Sequence, residues 1–146
     1  MTKVPGYLGP GFTPAPYCDI YVYLPAFNKR WWIPFLIDTG ADTTAIHPKD
    51  WVMHIPQNRL THTRSIGGIG GSREYSEQVA ALFVMDEAGV PHALQVSKID
   101  VGILTASDLT TFPIPSLLGR DILNSGKLTI EPTANPTPVT LELPTV

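Results

Sequence analysis

Apolar and aromatic residues in this chain gather in short segments punctuated by Gly and Pro, a pattern that predicts an all-β domain. Tyr17 to Leu24 and Trp31 to Ile37 read as paired strands around a Pro25 to Arg30 connection, because β-branched, aromatic and other apolar residues dominate both. Ala45 and Ile46 continue briefly as a strand. Pro48 to Met53 then predicts one helical turn with Pro near its start and Trp51 packed on the core. Leu60 to Ile66 and Ser72 to Val84 flank a glycine-rich tip as the arms of a long hairpin. Asp86-Glu87-Ala88-Gly89 is a turn before a strand over Val90 to Lys98. Val101 to Leu104 adds a short strand, Ala106 to Pro115 a surface loop, and Arg120 to Asn124 a short helix stopped by Gly126. Lys127 to Glu131 resumes as a strand. The Pro-rich tail ends in Val139-Thr140-Leu141-Glu142-Leu143, an alternation able to add a strand to a partner.

Composition narrows the class. At 146 residues the chain is one domain by length, large enough for a real core but small for two lobes. The 15 prolines and 12 glycines are spread along the chain rather than forming a repeat, so they punctuate strands. A formal net charge of −3, with ten scattered Lys and Arg residues, gives no basic stripe, and no nucleic-acid partner is expected. Cys18, the single cysteine, cannot form an intrachain disulfide and reads as a buried thiol. Met1 to Gly6 lacks the apolar stretch of a signal peptide, and no apolar run approaches the ~20 residues of a membrane span. The expectation is a soluble, intracellular, cytoplasmic protein that does not engage membranes.

Three elements carry the candidate chemistry. Phe35-Leu36-Ile37-Asp38-Thr39-Gly40-Ala41-Asp42-Thr43-Thr44 delivers one acidic residue from an apolar strand into a tight turn, where Gly40 allows a close turn and the Thr39 and Thr43 hydroxyls can bond locally. Ile66-Gly67-Gly68-Ile69-Gly70-Gly71 is a glycine-rich hairpin tip. Ser116-Leu117-Leu118-Gly119-Arg120-Asp121-Ile122-Leu123 repeats the apolar approach, followed by glycine and a short helix. Asp-Thr-Gly alone is a weak signal. In this order the three together resemble the retropepsins, the retroviral-type aspartic proteases that include the lentiviral enzymes, from about Tyr17 to Glu131.

That resemblance implies a retropepsin-like closed β-barrel subunit with a flap hairpin and one short C-terminal helix. Residues 1–16 are then an extended arm, either a cleavable lead-in or part of a dimer contact; 17–131 form the protease domain, and 132–146 a tail with a possible dimer-contact strand. It further implies an aspartic endopeptidase with no metal and no cofactor, acting as a homodimer on polypeptide bound in extended form. One Asp-Thr-Gly per chain supplies half a site, so Asp38 and Asp38′ of a second copy would share one proton and activate water. Thr39 would tie the two loops together and Gly40 would present backbone near substrate. Ala41, Asp42, Ile66, Gly67, Gly68, Ile69, Gly70 and Gly71 would contact substrate, the last six as the flap. Gly119 and Arg120 would support the site, with Arg120 balancing a partly buried Asp42 behind the dyad. The family often has Asn where this chain has Asp121, which sets an extra carboxylate nearby. Ser72, Arg73 and Glu74 are polar for a flap arm, which points to altered specificity.

Other readings of the same residues remain. Asp38 can be a turn or cap residue, the glycine tip a plain flexible hairpin, and Arg120 with Asp42 a structural ion pair. A phosphate cradle at the tip lacks the following Lys-Ser/Thr. His47, His54, His62 and His92 show no paired metal-ligand spacing. Trp31, Trp32 and Trp51 read as core or dimer-contact residues. The rival from another class is a non-catalytic retropepsin-fold module that dimerises and binds peptide, against which the intact Asp38-Thr39-Gly40 set argues. Activity only within a longer polyprotein is disfavoured by a chain that opens with Met1 and has its own tails.

Overall fold

The computed structural model describes residues 1–11, 13–68, 71–109 and 113–146. Its strands are β1 (Thr2–Leu8), β2 (Pro16–Leu24), β3 (Lys29–Ile37), β4 (Ala45–Ile46), β5 (Thr63–Gly68), β6 (Gly71–Val79), β7 (Ala81–Met85), β8 (Pro91–Ala93), β9 (Lys98–Gly102), β10 (Ser116–Leu118), β11 (Lys127–Ile130) and β12 (Val139–Leu143). The α-helices are single turns, α1 (Pro48–Trp51) and α2 (Arg120–Leu123), and short 3-10 turns lie at Pro25–Phe27, Gln57–Arg59 and Ala106–Leu109. The fold is mainly β, as the punctuated pattern predicts.

Hydrogen bonding links the strands in the order β11-β12-β1-β2-β3-β10-β4-β9-β6-β5, with β7 joined to β2 and β8. Among the described residues this path does not return on itself, so the closed barrel expected from the sequence is an open sheet. Alternation along β2 buries Cys18, Ile20, Val22 and Leu24 against Ile33 and Phe35 of β3 and Leu82 and Val84 of β7. Trp51 is fully buried and its indole N–H donates to the Gly102 carbonyl at 2.9 Å, which leaves no unpaired polar atom in that part of the core. Each such large side chain contributes about 1.5–3 kcal/mol by leaving water.

Several boundaries differ from the sequence reading. The returning hairpin arm, expected as one strand over Ser72 to Val84, breaks at buried Ala80, whose N–H donates to the Ser97 carbonyl; β6 pairs with β5 and β9, whereas β7 turns to β2 and β8. The strand expected over Val90 to Lys98 is only Pro91–Ala93, and β9 straddles the expected gap at Ile99 and Asp100. Gly126 closes the α2 turn with its N–H on the Leu123 carbonyl. What requires glycine there is β12, because a Cβ would overlap the Glu142 carbonyl oxygen.

The extended arm expected over residues 1–16 contains β1, paired with β12 from Thr2↔Leu143 to Gly6↔Val139 and then with β2 at Tyr7↔Tyr17. The expected partner-seeking strand β12 has β1 on one side and β11 on the other, and Val139, Leu141 and Leu143 are fully buried. With both edges taken within the chain, β12 has no ladder left to offer a partner.

Candidate active site

Asp38 follows the last residue of β3. Three residues of β10 run parallel to β3, ending at Leu118↔Ile37, and the Asp38 N–H donates to the Leu118 carbonyl at 3.0 Å, so the ladder continues into the loop. The carboxylate is half-buried, and its Oδ1 accepts the Gly40 N–H at 2.9 Å. Gly40 does not have a positive φ; its importance is proximity, since a Cβ would stand 3.2 Å from Asp38 Oδ1. Thr39 and Asp42 are exposed and Ala41 and Thr43 are half-buried.

The segment Gly119 to Asp121 holds this loop from behind. The Arg120 N–H donates to the Ala41 carbonyl at 2.9 Å and the Asp121 N–H to the Asp42 carbonyl at 3.2 Å. Thr44, fully buried, is the centre of the clasp: its N–H donates to Asp121 Oδ2 at 3.0 Å, its hydroxyl to Asp121 Oδ1 at 2.7 Å, and that hydroxyl accepts the Gly119 N–H at 3.0 Å. The extra carboxylate of Asp121 is thus a two-oxygen acceptor for one threonine. Asn would offer one acceptor oxygen in place of two. The local hydroxyl with this role is Thr44 rather than the expected Thr39 or Thr43. Its sequence signal was Thr-Thr running into the apolar Ala45-Ile46, where the second Thr must be buried. Gly119 is required because a Cβ would lie 2.6 Å from the carbonyl carbon and oxygen of Thr43.

Arg120 does pair with Asp42, through Nη2 and Oδ1. The expected partial burial is absent in this subunit, where the two side chains are 44% and 76% exposed. An exposed pair is worth ~1 kcal/mol or less, because water screens the charges and two long side chains must be ordered. A double-mutant cycle with Arg120→Ala and Asp42→Ala, read from urea unfolding of dilute protein, is therefore expected to give a coupling below about 1 kcal/mol. A coupling near ~3 kcal/mol would instead place the pair in a desolvated setting.

The hairpin of β5 and β6 is in register from Thr63↔Ser76 to Gly68↔Gly71 and joins the sheet through β6 and β9. Ile66 and Gly67 lie on its outgoing arm; Ile69 and Gly70 of the expected flap tip lie outside the described residues. Arg73, polar for a flap arm, is directed at the turn that carries Asp108. Its guanidinium donates to both oxygens of Asp108, at 2.7 and 3.1 Å, and to the Ile103 carbonyl, and the side chain is only 15% exposed. The Arg73 hydrogen bonds hold the Asp108 carboxyl below its ordinary range. Arg64 on the other arm reaches both oxygens of buried Asp100 on β9 at 3.1 Å. Arg64 thus ties one arm to β9 near the base of the hairpin, and Arg73, opposite Ile66 farther out, ties the other arm to the 3-10 turn that carries Asp108.

A buried histidine links the hairpin to β10. His47 Nδ1 donates to the Pro115 carbonyl at 2.6 Å, which leaves Nε2 to accept the Tyr75 hydroxyl of β6 at 2.8 Å. Its backbone N–H donates to Ser116 Oγ, whose hydroxyl donates to Asp50 Oδ2 at 2.6 Å. Burial pushes the imidazole below its ordinary value of 6.5. The unfolded chain therefore takes up a proton, near about pH 6.5, that the native state refuses, and stability falls as pH drops through that value toward the lower native one. Urea midpoints between about pH 7 and 5 should decline less for His47→Gln than for the wild type. Equal declines would show that His47 is not the linked group.

Among the described residues no group of three or more His, Cys, Asp and Glu side chains is placed to hold a metal, and no helix is long and apolar enough to cross a membrane. The family model described as retroviral aspartyl protease matches residues 14–131. The chain belongs to the retroviral aspartyl protease family. That match spans the Asp38 loop, the hairpin and the Gly119 to Asp121 clasp, and it leaves out both β1 and β12. Comparison with curated proteins gives no match. Among solved structures, the retropepsin-like aspartic protease from Rickettsia conorii is 19% identical, with 86% of this chain and 89% of that one covered and a TM-score of 0.49. The EIAV protease complexed with the inhibitor HBY-793 is 20% identical, with 78% and 89% covered and a TM-score of 0.40.

Proposed function

We propose that this member of the retroviral aspartyl protease family is an aspartic endopeptidase, its centre formed by Asp38 and Asp38′ of two copies. The observation that carries the reading is the placement of Asp38. Its carboxylate stands half-open at the end of β3 with one oxygen set by the Gly40 N–H, on a loop locked by Leu118, Gly119, Arg120 and Asp121. A single such loop is present per chain, so a second copy must bring the other carboxylate.

Two carboxylates held a few ångströms apart cannot both ionise, so they share one proton across the pair. The ionised member takes a proton from water as it attacks the scissile carbonyl, and the protonated one donates to the carbonyl oxygen. Thr39 would join the two loops and Gly40 would meet the substrate backbone. Ala41, Asp42 and the hairpin from Ile66 to Gly71 would hold the polypeptide extended, with the hairpin as a closing flap. The clamps at Arg64 and Arg73 would confine such motion to the distal part of the hairpin.

The test is digestion of a denatured protein mixture by the wild type at several pH values and protein concentrations, read by mass spectrometry. Fragments should form fastest on the acidic side of neutrality, and specific activity should rise with concentration until the dimer saturates. A rate still rising above pH ~8 would count against a carboxylate pair. No fragments under any condition would leave a peptide-binding module.

A further inference from the structure

We propose that His47 is a proton-operated latch: as a neutral imidazole it fastens the returning arm of the β5–β6 hairpin to the segment that opens β10, and when it takes a proton it lets that arm go. The latch is read from hydrogen bonds within one chain; its consequence for catalysis rests on the reading of the hairpin as a flap over Asp38.

Side chains on one face of the hairpin tie it down at neighbouring positions. Tyr75 lies directly opposite Arg64 of β5 and two residues from Arg73 on β6, so the three share that face. Arg64 and Arg73 are held by guanidinium–carboxylate pairs, to Asp100 and Asp108, and a guanidinium does not lose its proton in a protein. The Tyr75 tie is different, because it ends on a side chain that titrates near neutrality. The Pro115 carbonyl can only accept, so His47 Nδ1 carries the hydrogen and neutral Nε2 accepts the Tyr75 hydroxyl at 2.8 Å. The contact is enclosed. His47 is 2% exposed, and a Cβ on Gly102 would stand 3.1 Å from its Cδ2 and 3.2 Å from Tyr75 Cε1.

A proton on Nε2 reverses that end of the bond. Both ring nitrogens are then donors, and the Tyr75 hydroxyl must turn its hydrogen away from the ring. Among the described residues nothing else bonds to that hydroxyl, and its neighbours on the face, Arg64 and Arg73, bring only donors. Arg73 on β6 repels an imidazolium, whereas Asp108 in the 3-10 turn and Asp50 on α1 attract it and keep the protonated state within reach. Each nearby carboxylate is already engaged. Asp108 holds Arg73, Asp50 accepts from Ser116 and pairs with Lys49, and Asp100 of β9 holds Arg64. One proton therefore removes the Tyr75 tie and sets a like charge beside Arg73. Pro115 and Ser116 lead into β10, whose Leu118 carbonyl takes the Asp38 N–H, so the latch joins the hairpin to the strand that seats the candidate carboxylate. A hairpin held at neutral pH and released in acid suits a carboxylate pair that works on the acidic side.

Hydrogen exchange read by mass spectrometry at about pH 7.5 and about pH 5, with intrinsic rates corrected for pH, tests the latch. In the wild type, protection of the β5 and β6 amides should fall about tenfold or more between the two values, while that of β2 and β3 changes far less. Ring NMR should show His47 titrating over the same interval. Tyr75→Phe, which removes only the hydroxyl, should leave the hairpin weakly protected at both values. His47→Gln, whose side-chain oxygen can accept from Tyr75 without titrating, should keep it protected at both. An equal loss in β2 and β3 would make the proton a global destabiliser and overturn the latch. So would a His47 ring that stays neutral until the chain unfolds, or a Tyr75→Phe hairpin as protected as the wild type at about pH 7.5. If the exchange pattern appears and no condition yields hydrolysis, the latch stands and the endopeptidase reading falls.

Discussion

Asp38→Asn is expected to lower peptide hydrolysis by at least about a hundredfold, with little change in the urea midpoint. The amide has the shape of the carboxylate, and its oxygen can still accept the Gly40 N–H that now reaches Oδ1. It cannot take a proton from water or share one with a second carboxylate. Because Asp38 is only half-buried and makes no ion pair among the described residues, the change should cost the fold little. Added to wild type, the variant should suppress activity more than dilution does, because mixed pairs lack one carboxylate. More than a few per cent residual activity, in a preparation free of other proteases, would remove Asp38 from the chemistry.

The second large effect is expected at Gly119, which touches neither the substrate nor the water in this reading. A methyl group there meets the Thr43 carbonyl carbon and oxygen at 2.6 Å and the Ala41 carbonyl oxygen at 3.0 Å, all of them backbone. Backbone held by the Arg120–Ala41 and Asp121–Thr44 bonds cannot step aside without breaking them. Gly119→Ala should therefore destabilise the subunit by about 1–3 kcal/mol, the usual cost of overpacking a filled site. It should also cut the hydrolysis rate by about a hundredfold, since a shift of ~1 Å in a reacting group has that effect. Asp121→Asn should be milder on both counts, because one amide oxygen can still accept from Thr44. Urea midpoints and initial rates for the two variants check the order. A Gly119→Ala protein with wild-type midpoint and rate would show that the loop is looser than its hydrogen bonds imply.

Asp42 and Arg120 form a tertiary contact that local sequence motifs foreshadow. Their pairing follows from two motifs far apart in sequence, and the side chains do meet. How exposed they are depends on what lies over them, which no local pattern records. Asp121 is the reverse case: its neighbour Thr44 is 77 positions away, and the seating of β10 between β3 and β4 brings the two together. Arg73 stands out in the sequence only as polar for a flap arm, and its partner Asp108 lies in a loop whose path has no periodicity to follow.

The sequence by itself determined the β character of the chain, the strand that leads into Asp38, the short helices that begin at Pro48 and follow Gly119, and the glycine-rich hairpin. Each of these is set by contacts among near neighbours: alternation of side chains across a strand, the fixed φ of proline, and the freedom of glycine. Tertiary structure alone decided the pairing of β1 with β12, the open strand path, the break at Ala80 and the clasp on Thr44. Those outcomes depend on which strand edges find each other across the whole chain, and a strand's residues specify which face it buries far more strongly than which neighbour supplies its hydrogen bonds.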